Sequence, residues 1–152
     1  MSTGAPMARY AAARRMGDFV FMSGVVAVDP ATRRAVARYE DLPEEAQAAL
    51  RTLGYQTGQM SVDVFEAPIV AQSWFVLARI RDLAIAHGGS MAQVVKLVQY
   101  FRRLPDYAHF NRVRGLFYPD EPPVSTVVEV NRFLPGDEAL VEVEATMYLP
   151  RE

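Results

Sequence analysis

The chain has 152 residues, 51% of them hydrophobic, and a formal charge of −2. That length and apolar content suit one folded domain with a real core, and the charge gives no basic footprint for nucleic acid. The absence of cysteine excludes disulfides, thiolate catalysis and cysteine zinc sites. Only His87 and His109 are available to a histidine metal site, and they lie far apart, so no metal is expected. No apolar run approaches the ~20 residues of a membrane span. Arg9, Arg14, Arg15 and Asp18 precede the first apolar segment without a cleavage-site pattern. A soluble, cytoplasmic protein is the expectation.

Residues 1–8 read as a loose lead-in, and Met7 to Arg15 as the weak beginning of a strand. Gly17-Asp18 makes a turn. Phe19 to Val28 is β-branched and aromatic, the composition of a buried strand. Ser23-Gly24 interrupts it. A glycine there marks either a bulge or a close approach of ligand or backbone, and both readings stay open. Asp29-Pro30-Ala31-Thr32 closes the strand as a turn.

Residues 35–40 suggest a short return strand. Asp41-Leu42-Pro43-Glu44 carries the marks of a helix start, with Asp41 as the cap. Ala46, Ala49, Leu50 and Leu53 supply its apolar face and Gly54 ends it. Gly58 and Pro68 bracket what reads as an extended piece, MSVDVFEA. Ile69 to His87 is the longest helical pattern. Val70, Trp74, Leu77, Val76, Ile80 and Leu83 form a broad stripe suited to lying on a sheet. Trp74 is expected in the core.

Val94 to Phe101 alternates as a strand. Tyr107 to Phe117 reads as a second helix, with Phe110, Val113, Leu116 and Phe117 buried and Asn111 polar at the edge of that face. From Pro122 to Pro150 the pattern is period-2 on either side of Leu134-Pro135-Gly136-Asp137, the signature of two strands paired across a turn. Glu142 and Glu144 share one face of the last strand. They are solvated if that face meets water, and available for chemistry if it lines a cleft.

This order of elements predicts an α+β fold in two layers, two helices on one face of a mostly antiparallel sheet. A chain of this size has nothing left to cover the other face, so a homo-oligomer is the physical expectation. There is no phosphate-cradling glycine loop, no nucleophile elbow and no metal-ligand pair at motif spacing.

Four stretches carry a resemblance. FVFMSGVVAVDPATR resembles a pattern of short strand, Ser-Gly and Asp-Pro turn. AQSWFVLARIRDLAIAHGGSMAQVVKLVQYF resembles a Gln-led helix, a Gly-Ser turn and a Val-Val-Lys strand. DYAHFNRVRGLFYPDEPP is similar to an Asp-Tyr-x-x-Phe-Asn helix followed by proline. VVEVNRFLPGDEALVEVEA is close to a Val-Glu-Val-x-Arg-Leu segment ending in Val-Glu-Ile-Glu-Ala. In this order they resemble the reactive intermediate deaminase family (Rid, or YjgF-like) over a single domain, residues 1–152, apart from an insertion at about 35–68.

The resemblance implies a chorismate-mutase-like α+β fold. It implies a homotrimer with clefts between neighbouring subunits, and hydrolysis of reactive imines or enamines to a ketone and ammonia without a cofactor. It implies catalytic roles for Glu142, which positions or activates water, and Ser23. Substrate-binding roles fall to Tyr10, Gly24, Asn111 and Ser125, and no metal is involved. Older descriptions of the family as endoribonucleases do not fit the acidic charge.

Ser125 is a departure, because it stands where the family's deaminases carry an arginine that grips the substrate carboxylate as a bidentate fork. Serine supplies neither charge nor paired donors, a loss of ~1.5–3 kcal/mol for a carboxylate substrate. Arg102, Arg103, Arg112 and Arg114 are the candidates to compensate if one reaches the cleft. The alternative to an enzyme with altered substrate is a non-catalytic small-molecule-binding or regulatory trimer. A structural partner protein that uses the insertion as its interface is a third reading. The insertion itself reads either as an extension of the interface or a lid on the cleft or, equally, as a peripheral decoration.

Overall fold

The computed structural model describes residues 6–57 and 60–151, backbone alone over 60–64. Residues 1–5 and Gly58, which figured in the sequence reading, lie outside the described residues. The strands are β1 (Ala13–Met16), β2 (Phe19–Met22), β3 (Val25–Val26), β4 (Val94–Phe101), β5 (Val124–Glu129) and β6 (Val141–Tyr148). The helices are α1 (Glu44–Thr52), α2 (Met60–Ala86) and α3 (Tyr107–Arg114). One sheet runs β1-β2-β6-β4-β5, and β3 also pairs with β6. All pairings are antiparallel except β4–β5. The expected α+β layering of helices against one mostly antiparallel sheet is therefore correct.

The period-2 pattern assigns faces. On β6, Val141, Val143, Ala145 and Met147 are buried under the helices together with Leu97 and Phe101 of β4. From α2 come Val70, Trp74, Val76, Leu77, Ile80 and Leu83, all buried as the stripe predicted. Trp74 packs on Phe117 with ring centroids 6.0 Å apart, a core position. Phe110 and Val113 of α3 are fully buried, and Phe110 meets Phe101 edge-on at 5.4 Å. Each such ring removes a large apolar area from water, and the edge-to-face arrangement adds to it. The helix itself stops at Arg114, three residues before the expected end, where Gly115 caps it.

Five local expectations are corrected. Strands β5 and β6 do not pair with each other: β4 lies between them, parallel to β5 and antiparallel to β6. Alternation tells which residues share a face and not which strand is the neighbour. Segment 130–140 crosses the end of β4, and buried Gln72 of α2 holds it in place. The Gln72 side-chain amide donates to Glu138 O (2.9 Å) and accepts from Leu140 N (2.8 Å). MSVDVFEA is helix, not extended, and Pro68 sits inside α2. Proline there removes one backbone bond, and the densely buried turns that follow hold the helix regardless.

Residues 35–40 make a single bridge, Val28 with Ala35, followed by a 3-10 turn at Tyr39–Asp41. Asp41 does not cap α1, whose cap position is Pro43. Its Oδ2 instead accepts from Ala37 N and Arg38 N, each at 3.0 Å. The Phe19–Val28 strand is broken at Ser23-Gly24, and it is not buried throughout, because Phe19 and Phe21 face out at 43% and 49% exposure.

The face away from the helices carries Phe19, Phe21, Tyr148, Tyr100, Glu142, Glu144 and Val128, as the strand registers require. Among the described residues no helix covers it.

Candidate functional site

Gly24 and Glu142 meet on that open face. A Cβ built on Gly24 would stand 2.2 Å from Glu142 Oε1, so the carboxylate fits only because residue 24 has no side chain. The group that approaches residue 24 is the side chain of Glu142, where the sequence reading had weighed a bulge or an approaching ligand or backbone. Its carboxyl is half-buried. Burial, and secondarily the neighbouring Glu144, push its pKa above the ordinary carboxylate value. Glu144 accepts a hydrogen bond from Tyr100 Oη at 2.8 Å. That bond, then burial, raises the Tyr100 phenol. The last-strand carboxylates are thus not equivalent: one is tied to a phenol and the other is left with a raised proton affinity.

Tyr10, Ser23 and Gly24 line one cavity of about 410 Å³, with Met7, Val26, Arg33 and Arg79 among the other walls. Ser23 Oγ donates to Ala11 O at 2.7 Å, and Ser23 N donates to Ala12 O at 2.9 Å. Both bonds pin the segment that carries Tyr10 against the start of the gap between β2 and β3. The Ser23 hydroxyl proton is therefore spent on the backbone, and what remains to it is acceptor capacity.

Asn111 and Ser125 stand elsewhere. In β5, Ser125 is in register with Leu97 of β4 and points to the helix side, where Asn111 of α3 lies. Glu142 is on β6, in register with Tyr100, on the other face. One chain thus brings Tyr10, Ser23, Gly24 and Glu142 together. It also brings Asn111 and Ser125 together, and it keeps the two groups apart across β4.

The second group contains a residue that the sequence reading named without placing. Arg114 donates from Nη1 to Gln99 Oε1 (2.6 Å) and Ser125 Oγ (3.1 Å), and from Nη2 to Tyr107 Oη (3.1 Å) and Asn111 Oδ1 (2.7 Å). Its guanidinium lies 5.7 and 5.9 Å from the ring centres of Tyr107 and Phe110. The signal for it was available: Asn111 and Arg114 are three apart on one helix and share a face. Two other candidate arginines are engaged elsewhere. Arg102 donates to Asp137 O, and Arg112 donates to Tyr55 Oη and Leu53 O.

Among the described residues no group of three or more His, Asp or Glu side chains could hold a metal ion, and no helix is long and apolar enough to cross a membrane.

The chain is thus a two-layer α+β domain with one unpartnered sheet face and two separated polar clusters. The model of the Endoribonuclease L-PSP family, also called the YjgF, RutC or Rid family, matches residues 52–149, and the chain belongs to that family. A candidate endoribonuclease of Klebsiella pneumoniae is 51% identical; its structure superposes with a TM-score of 0.86 over 93% of this chain and 100% of that one. A RutC family protein of Pyrococcus abyssi is 27% identical over 94% of this chain and 88% of its own length. The RidA of an Antarctic Psychrobacter, 24% identical with a TM-score of 0.69 over 96% of this chain and 93% of that one, shares the fold.

Proposed function

We propose that this protein hydrolyses a small reactive imine or enamine, and that the cleft forms between two copies of the chain. One copy supplies Glu142, Gly24, Ser23 and Tyr10; its neighbour supplies Asn111 and Ser125. The observation that carries this reading is the half-buried Glu142 carboxylate set against Gly24, on a sheet face left open in the single chain. A carboxylate with raised proton affinity suits a general base working near neutral pH.

In this account Glu142 takes a proton from water as its oxygen bonds to the imine carbon. The substrate enters as the protonated iminium, so the C=N π electrons move to nitrogen and leave a neutral amine. The carbinolamine then collapses: the Glu142 carboxyl gives its proton to that amine, the C–N bond breaks and ammonia leaves, and the hydroxyl proton passes to the Glu142 carboxylate as the C=O bond forms, to be released to solvent with the ketone. No redox partner is required. Asn111 and Ser125 orient the substrate, Tyr10 walls the cleft, and Ser23 holds the Tyr10 segment. A homotrimer, cytoplasmic and closed around the open sheet faces, is the assembly this reading calls for.

A second reading, a non-catalytic small-molecule-binding or regulatory trimer, is favoured by one observation, the serine at position 125. Saturable binding of a small molecule without turnover is its mark. The net charge of −2 argues against ribonuclease action, which needs a basic footprint for the phosphate backbone.

The test is ammonia release from freshly generated 2-imino acids. Wild type is expected to accelerate it, and Glu142→Gln to lower the rate by about 10²–10⁴-fold with the fold intact. Full activity in Glu142→Gln removes the proposed base. Acceleration by Ser125→Arg alone means a working cleft tuned to another substrate.

A further inference from the structure

Arg33 closes the turn after β3 with its backbone in the left-handed region, at φ +58°. A residue with a side chain is strained there and a glycine is not. The turn is otherwise well bonded. Arg33 N donates to Asp29 O (2.7 Å), Asp29 N donates to Arg34 O (3.0 Å), and Ala31 N donates to Asp29 Oδ1 (2.7 Å). None of these bonds uses the Arg33 side chain. Among the described residues its guanidinium has no hydrogen-bond or ion-pair partner. No contact within the chain offsets the strain, and backbone strain of this kind gathers where a ligand is held.

The space for a ligand is the cavity of about 410 Å³ that Arg33 helps to wall. Its chemistry changes from one part to the next. Ser23 and Gly24 bring it to the half-buried Glu142 carboxyl. Val26, Leu83 and Pro135 give it an apolar stretch. Arg33 from the turn and half-buried Arg79 from α2 give it positive charge. Asp29 is the one acid among the described lining residues, and its Oδ1 is held by the Ala31 amide. In a chain of net charge −2 this is a local feature, not the general field of the surface. Two guanidiniums beside apolar walls favour an anion, and their planar forks match a carboxylate.

We propose that Arg33, with Arg79, is a specificity-determining site for a remote carboxylate, so that the imine or enamine consumed here carries an acid group several bonds away from its reacting carbon. This rests on the imine-hydrolase reading for the reaction. The reacting carbon sits at Glu142 and Gly24, the apolar stretch takes the intervening carbons, and the acid reaches the turn beyond β3. The Asn111 and Ser125 group lies across the sheet and takes no part in this contact. The strain at Arg33 places a charged side chain where a glycine would close the turn more easily.

The experiment is a calorimetric titration of the intact oligomer with 2-oxoglutarate and 2-oxoadipate, each set against the monoacid of the same carbon number, 2-oxopentanoate and 2-oxohexanoate. The members of a pair share their keto-acid end, so whatever holds that end cancels. Wild type is expected to bind at least one diacid about tenfold more tightly than its monoacid. Arg33→Gly is expected to bring that pair within about twofold, with a thermal midpoint no lower than wild type, because glycine relieves the turn. Arg33→Glu is expected to reverse the preference, and Arg79→Gln to reduce it. Arg34→Gln is the control. Arg34 is exposed and outside the cavity wall, and its loss is expected to leave the preference unchanged.

Equal wild-type affinity within both pairs, or absence of binding, overturns the proposal. So does a preference that survives Arg33→Gly, or one that Arg34→Gln lowers as far as Arg33→Gly does. No effect of Arg79→Gln overturns the part given to Arg79. Binding needs no turnover, so it separates from the reaction. An Arg33-dependent preference without ammonia release from the matching imines leaves this site standing and removes the hydrolase reading. Ammonia release that is indifferent to the second acid and to Arg33 does the reverse.

Discussion

Glu142 Oε1 occupies the space that a side chain on Gly24 would need, 2.2 Å from the ideal Cβ position. The backbone at residue 24 therefore sets where the carboxylate lies. In Gly24→Ala the carboxylate, as the far end of a flexible side chain, moves aside at small cost in stability. The proposed base is then misaimed. A thermal midpoint close to wild type is expected, with ammonia release lowered about 10²-fold, as for an ångström-scale misplacement. Unchanged activity in a folded Gly24→Ala protein would contradict the role given to this contact.

The raised pKa of Glu142 has a defined sign in two measurements. As a base it works only when ionised, so the acid limb of kcat/KM should lie above the ordinary glutamate value of about 4.3. Burial is the larger cause and Glu144 the smaller. Glu144→Gln should therefore move the limb down without returning it to that value. In stability, the folded state holds this proton more tightly than the unfolded chain. The contribution is complete below about pH 4.3 and is lost as pH rises through the folded value. Glu142→Gln removes that slope. An acid limb at the unperturbed value in wild type would contradict the assignment.

Segment 35–57 is tied to α3 through Tyr55 and through Leu53 O, which accepts from Arg112. Buried Tyr55 shares a 2.8 Å hydrogen bond between Oη and His109 Nδ1, and Arg112 donates to the same oxygen at 3.2 Å. Val36, Leu42, Ala46 and Leu50 join the main core beside it, so the segment packs as part of the domain. Tyr55→Phe keeps the ring and removes the bridge. It should cost about 1 kcal/mol in urea unfolding, with little change in turnover. A stability equal to wild type would mean that the bridge contributes nothing.

Local pattern carried much of the fold. The stripe from Val70 to Leu83, the alternation of Val94 to Phe101 and of Val141 to Tyr148, and the break at Ser23-Gly24 all follow from residue type and spacing, and each appears in the structure. What pattern could not carry was adjacency. Nothing in the period of Val124 to Glu129 distinguishes β6 from β4 as its neighbour. That choice depends on α3 returning the chain to lie parallel with β4, and on Gln72 anchoring the following segment. Pro68 misled for a related reason: its local cost is real, and tertiary burial downstream outweighs it.

The candidate residues could be named from the sequence, but their geometry could not. Tyr10, Ser23 and Gly24 do line one cavity with Glu142 behind Gly24, whereas Asn111 and Ser125 lie across the sheet. Arg114 was visible only as one of four arginines. Its contact with Ser125 depends on the buried side chain of Gln99, whose inward direction belongs to the folded sheet.

The central claim is that the cleft takes its two halves from different copies of the chain. It is tested by co-expressing two inactive variants, Glu142→Gln and Asn111→Ala, and purifying the mixed oligomers. Each variant alone is expected to release little ammonia. In randomly mixed trimers about a quarter of the interfaces would pair an intact Glu142 with an intact Asn111, so about a quarter of wild-type activity should return. Mixed oligomers as inactive as the two parents would contradict a shared cleft and place all of the chemistry within one chain.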